Sequence, residues 1–83
     1  MVLDWIKFLR KLNKDKQLII FDIVEKILIW NLDELDIKPI SWKRWYFRCR
    51  IWDLRVIYFI ENNKKFIKKI WNRWDIYKWL KNI

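Results

Sequence analysis

The chain contains no glycine and no histidine, and only one proline, one cysteine and one methionine. Without histidine, imidazole is excluded as a general base and most zinc sites lose a ligand. A lone cysteine, Cys49, excludes an intramolecular disulfide and fits a reducing, cytoplasmic compartment. Long apolar runs are missing too. Stretches such as Val56 to Ile60 are far too short to span a bilayer, so no membrane partner is expected. Asp4 interrupts the place where a leader peptide would need its apolar stretch.

The missing glycine has a counterpart in eight tryptophans. Average usage of roughly 7% glycine would give about six in a chain of this length. Several tryptophans stand where glycine makes physical sense. Trp30 follows the helical-looking run Phe21 to Ile29, the place of a left-handed C-terminal cap. Trp52 precedes Asp53 between two strand-like runs, the place of a tight hairpin turn. Trp42, Trp45 and Trp74 lie in stretches that read as turns. The expectation is that these positions are UGA codons, which some bacterial lineages read as glycine and others as tryptophan. The natural protein would then carry glycine at most or all of residues 5, 30, 42, 45, 52, 71, 74 and 79. The alternative is a Trp-rich protein that uses its indoles for stacking or membrane-interface anchoring.

What is present is a lopsided charge. Residues 1–40 hold seven basic and seven acidic side chains, while residues 41–83 hold twelve basic against three acidic. The whole net charge of +9 therefore sits in the second half. Such a field attracts polyanions. At 83 residues the chain reads as one domain, 1–83, which buries only roughly 60% of its unfolded surface and is marginal without a partner.

Hydrophobic periodicity gives an α+β reading. Leu3, Ile6, Leu9 and Leu12, with Phe8, repeat at helical spacing, and Asn13 to Lys16 reads as a connection. From Leu18 the set Ile20, Ile23, Val24, Ile27 and Leu28 marks a second helix, with Asp22, Glu25 and Lys26 toward solvent. Two helices so closely joined form an antiparallel hairpin. Asn31 to Ser41 reads as a linker. Tyr46 to Ile51, Leu54 to Ile60 and Lys65 to Ile70 read as a three-stranded antiparallel meander, with turns at Trp52-Asp53 and Glu61 to Lys64. Trp74 to Lys81 reads as a short terminal helix.

Strand alternation then sorts the arginines. Arg48 and Arg50 project from one face of the first meander strand, and Phe47, Cys49 and Ile51 from the other, into the core. Arg55 follows the turn and lies across the ladder from Arg50; Arg73, at the end of the third strand, joins them. Guanidinium groups so crowded repel one another unless an anion sits between them. An RNA phosphate is that anion, held through two parallel hydrogen bonds. Lys43 and Arg44, just upstream, extend the expected RNA-binding set.

These residues carry a resemblance. YFRCRIWDLRVIYFI (Tyr46 to Ile60) followed by NRWDIYK (Asn72 to Lys78) resembles the C-terminal core of the RelE/ParE toxin superfamily. That pattern has two alternating basic residues, a Gly-Asp turn, an Arg opening the next strand and a closing Arg-x-x-x-Tyr. It tightens when Trp52, Trp71 and Trp74 are read as glycine. KPISW resembles the family's Lys-x-x-x-Gly approach, and LRKLNKDKQ through VEKIL resembles its helix pair; the likeness spans residues 3–78. It implies two helices packed on a small antiparallel sheet, a small acidic antitoxin as partner, and messenger RNA cut on the ribosome without metal or cofactor. By the same resemblance Arg55 and Arg73 stabilise the transition state, and Tyr77 takes the 2′-proton or stacks on a base. Arg48 and Arg50 hold the backbone. One departure is that family members usually open with a strand before the first helix, whereas here the helical pattern starts almost at Met1; the expectation is that either the strand is absent or the start codon was placed too late. Two other functions compete: a ParE-like protein that inhibits a topoisomerase without cutting RNA, and a non-enzymatic basic module for nucleic acid.

Overall fold

The computed structural model describes residues 4–82. Leu3, the first residue of the expected helical repeat, lies outside them. Helix α1 spans Asp4–Arg10 and α2 spans Lys14–Leu28. Four strands follow: β1 Asp36–Pro39, β2 Tyr46–Ile51, β3 Leu54–Glu61 and β4 Lys64–Asn72; α3, Arg73–Leu80, closes the chain. The strands form one antiparallel sheet in the order β1-β2-β3-β4.

The main differences from the periodicity reading each have a physical reason. The α2 helix starts at Lys14, not Leu18. The side chain of Asn13 accepts a hydrogen bond from the Lys16 backbone N–H at 2.9 Å, and this cap sets the start. The stretch read as a linker contains strand β1. Ile37 packs against the main core, and Asp36 pairs with Arg50 on β2, so the strand is held by its neighbour rather than by its own propensity. Pro39 is tolerated because it sits at the end of an edge strand. The sheet thus has four strands, not three. Finally, β4 runs on to Asn72, and Arg73 opens α3 instead of ending a strand. Asn72 is the α3 cap, its side-chain oxygen accepting from the Asp75 N–H at 2.9 Å.

The two sheet faces bury different things. On one, Cys49, Ile51, Leu54, Val56, Tyr58 and Ile70 pack with Leu9 of α1 and Ile20, Val24 and Ile27 of α2 into the main core. Both α1 and α2 contact β4. On the other, Ile40 and Ile57 meet Ile76 and Leu80 of α3 in a smaller core. Burial pushes the Cys49 thiol up to about 11, with the Asp36 carboxylate adding to it, and lifts the Tyr58 hydroxyl to about 12. Among the described residues no helix is long and apolar enough to cross a membrane.

Among the described residues five take left-handed φ, and three are tryptophans: Trp30 (64°), Trp45 (68°) and Trp52 (51°). At the end of α2, Asn31 N–H donates to Lys26 O (2.9 Å) and Trp30 N–H to Ile27 O (3.2 Å). This is a Schellman closure with tryptophan at the position that glycine usually holds. Trp52 forms the β2–β3 turn. The β3–β4 turn solves the same problem with Asn62 (52°) and Asn63 (62°), residues that tolerate this geometry. A non-glycine residue in this region costs roughly 1–2 kcal/mol. Trp74, expected in a turn, lies in α3.

Lys65 is the one lysine drawn inward among the described residues. It is 7% exposed and donates from Nζ to Ile27 O at 3.0 Å, at the C-terminal end of α2. Its ammonium stands 3.6 Å from the Trp30 ring centroid. Burial holds it below the usual lysine range. The contact ties α2 to β4 through a charge-assisted bond at the negative end of the helix dipole.

Candidate nucleic-acid interface

Register fixes which side chains share the face beneath α3. Arg48 opposes Ile57, and Arg50 opposes Arg55. Because Ile57 belongs to the α3-side core, Arg48, Arg50 and Arg55 all belong to that same face. The structure brings these three together on one side of the sheet, but it holds each differently.

Arg48 and Tyr77 line one cleft of 140 Å³ between β2 and α3, together with Ser41 and Trp42. Arg48 Nη1 is buried there and makes no hydrogen bond. A buried guanidinium nitrogen without an acceptor is costly, and an anion entering the cleft would supply one. Tyr77 is exposed at the rim.

Arg50 is exposed, with Nε 2.7 Å from Asp36 Oδ2. Arg73 lies with Nε 3.6 Å from Asp53 Oδ1, too long for a hydrogen bond, while its backbone N–H donates to Asp53 O at 2.7 Å. Its guanidinium stacks 4.3 Å from the Trp74 ring centroid. Exposed pairs of this kind contribute only about 0–1 kcal/mol, so a phosphate competes with them readily.

Arg55 is different. Only 6% exposed, it donates through Nη1 to the carbonyl oxygens of Trp52 (3.1 Å) and Leu54 (2.8 Å). Its Nη1 is committed to the β2–β3 turn, the same turn that Arg73 contacts through Asp53, while its Nε is buried without a partner. Alternation assigns a side chain to a face but says nothing of its depth, which is why the sequence treats Arg55 like Arg50.

Lys43 and Arg44 precede β2 and stand over aromatic rings. Lys43 Nζ is 4.9 Å from the Tyr46 ring centroid, and Arg44 stands 5.4 Å from that of Trp45. Two features of the face escaped the sequence reading. Lys69 opposes Ile57 from β4 and stands 4.3 Å from the Trp71 ring and 5.5 Å from the Trp79 ring. Tyr46, Phe59 and Phe66 form a stacked row, with centroids 5.2 and 5.3 Å apart. Extending the alternation through residues 55, 57 and 59 would have placed Phe59 beside the arginines.

No protein-family model matches the chain, and no curated protein matches it. Among solved structures, a chain of the RelB-RelE antitoxin-toxin complex from Methanococcus jannaschii shares the architecture. Its TM-score is 0.76 at 22% identity, over 94% of each chain. The fold is therefore RelE-like.

Proposed function

We propose that this RelE-like chain is the toxin of a type II toxin–antitoxin system and that it cuts messenger RNA on the ribosome, in the cytoplasm, as a metal-independent endoribonuclease. The observation that carries the reading is the cleft shared by Arg48 and Tyr77, on the face that also bears Arg50 and Arg55. The fold likeness supports the toxin role, since the similar chain comes from an antitoxin–toxin complex.

In this reading the ribose 2′-oxygen attacks the adjacent phosphorus. A bond from the 2′-oxygen to phosphorus forms as the bond from phosphorus to the 5′-oxygen breaks, and the proton lost from the 2′-hydroxyl is balanced by one taken up at the 5′-oxygen, leaving a 2′,3′-cyclic phosphate on one fragment and a 5′-hydroxyl on the other. Arg48 and Arg50 grip the phosphate, and Arg73 adds positive charge from the start of α3, where negative charge develops on the phosphate oxygens. Tyr77 sits where it takes part in moving the 2′-proton or stacks on a base. Arg55 acts as a positioning residue: it holds the turn and contributes its charge from below. A small acidic antitoxin answers the +9 charge of residues 41–83.

Primer extension on messages translated in the presence of the purified protein tests this. Breaks that need ribosomes and vanish in Arg48→Ala and Tyr77→Phe are expected. Absence of breaks, with DNA replication stopping before translation in expressing cells, would replace the reading with topoisomerase inhibition.

A further inference from the structure

The aromatic row on the arginine face points to a second function for that face. We propose that Phe66, braced through ring stacking by Phe59 and Tyr46, is a base-stacking platform that holds the single-stranded RNA next to the phosphate gripped by Arg48. The inference rests on the RNA reading above and names how the strand is held beside the cleft.

Tyr46, Phe59 and Phe66 come from three adjacent strands in direct register, Tyr46 opposite Phe59 and Phe59 opposite Phe66. Their rings are nearly parallel, with interplanar angles of 19° and 22°. Cross-strand aromatic pairs can serve stability alone. Three features separate this row from that use. First, it is not covered: Phe66 is 42% exposed on an edge strand, and Tyr46 and Phe59 are only half-buried. The matching pair on the opposite face, Phe47 and Tyr58, stacks under the main core instead.

Second, Tyr46 and Phe59 line a groove of 480 Å³, whose far wall is the Asn62-Asn63 turn and whose near wall is Arg44 and Trp45. The Asn amides offer a donor and an acceptor to base edges. Glu61 is the acid at this groove; the cations beside it are Arg44 and Lys43, the latter over the Tyr46 ring. Third, the row is continuous with the cleft. Tyr46 and Arg48 are successive residues of one strand face, so they lie about 7 Å apart. That is comparable to the step between neighbouring phosphates of an extended strand. Phe59 has a ring neighbour on each face and Tyr46 lies between Phe59 and Lys43, so the open ring face is the outer one of the exposed Phe66. That face accepts any base, and the flanking cations follow the backbone, which is the chemistry of single-strand binding.

Fluorescence anisotropy with a labelled hexauridylate, and with an abasic ribose-phosphate chain of the same length, tests the platform. Phe66→Leu, at an exposed edge position where folding is preserved, is expected to weaken hexauridylate binding about five- to hundredfold. The same variant leaves the abasic chain unaffected, and the salt dependence keeps its slope. Phe66→Trp restores binding. Lys43→Ala and Arg44→Ala each flatten the salt slope by about one and weaken both probes alike. Equal losses for the two probes in Phe66→Leu, or none, would overturn the platform, as would binding of an acidic peptide at this row in place of RNA. Because the readout is binding, it is separate from cleavage. Ribosome-dependent breaks with no base-dependent binding sink the platform alone; base-dependent binding with no breaks sinks the nuclease alone.

Discussion

The two faces of the sheet are built from the same strands by alternation, yet they are held together by opposite means. The α1/α2 face is largely dry: Ile20, Ile27, Cys49 and Val56 are fully buried, Lys65 is satisfied by a backbone carbonyl, and among its described residues the Trp5 indole N–H is the buried polar group left without a partner. The α3 face has a small core of Ile40, Ile57, Ile76 and Leu80, and around it arginines with weak or missing partners. The difference teaches that the larger apolar core is concentrated on one side and unpartnered positive charge on the other. A chain this short cannot fill both faces with apolar side chains and still keep a ligand surface.

The comparison breaks most readily from the dry side. Ile27→Ala removes a fully buried side chain under α2 and is expected to cost about 2–5 kcal/mol in urea unfolding. Arg48→Ala should do the reverse. Its Nη1 has no partner to lose, so unfolding free energy stays within about 1 kcal/mol while RNA cleavage falls roughly a hundredfold or more. A large stability loss in Arg48→Ala would mean that the wet face is structural after all.

The dry face also predicts a pH effect. Burial pushes the Cys49 thiol up from its ordinary 9.0 to about 11. The neutral thiol is the favoured folded form, so the stability it contributes is complete below 9 and is lost as pH rises toward 11. The loss is on the order of 2 kcal/mol and is read as a falling melting temperature across that range. Tyr58 adds to the same alkaline decline at its upper end, and Cys49→Val removes the thiol's share.

The smallest effect concerns the turns. Trp52→Gly and Trp45→Gly relieve a left-handed φ and are expected to stabilise by about 1 kcal/mol each. Trp30→Gly gains less, because the ring it removes stacks on Lys65. Thermal melts of the three variants rank them, and eight UGG codons in the gene would end the UGA reading.

The parts legible in the sequence were those with local signals. Alternation over Tyr46 to Ile60 placed β2, β3 and their shared arginine face, and the Asn62-Asn63 pair marked a turn by its own backbone tolerance. The parts that were not legible depend on neighbours. Strand β1 exists because β2 offers it a ladder and Arg50 offers Asp36 a partner; a stretch with three acids and a proline carries no such message alone. Arg55 reads like any basic strand residue, yet the turn carbonyls draw it inward. Arg73 moved from strand to helix because the Asn72 cap outweighs the strand pattern before it.

The central claim is that RNA is gripped on the face beneath α3. Amide and side-chain NMR shifts on titration with a single-stranded oligoribonucleotide test it most directly. The account predicts shifts at Arg48, Arg50, Phe59 and Tyr77, with α1 and α2 silent. Shifts confined to the two N-terminal helices, or none on β2 and β3, would contradict it.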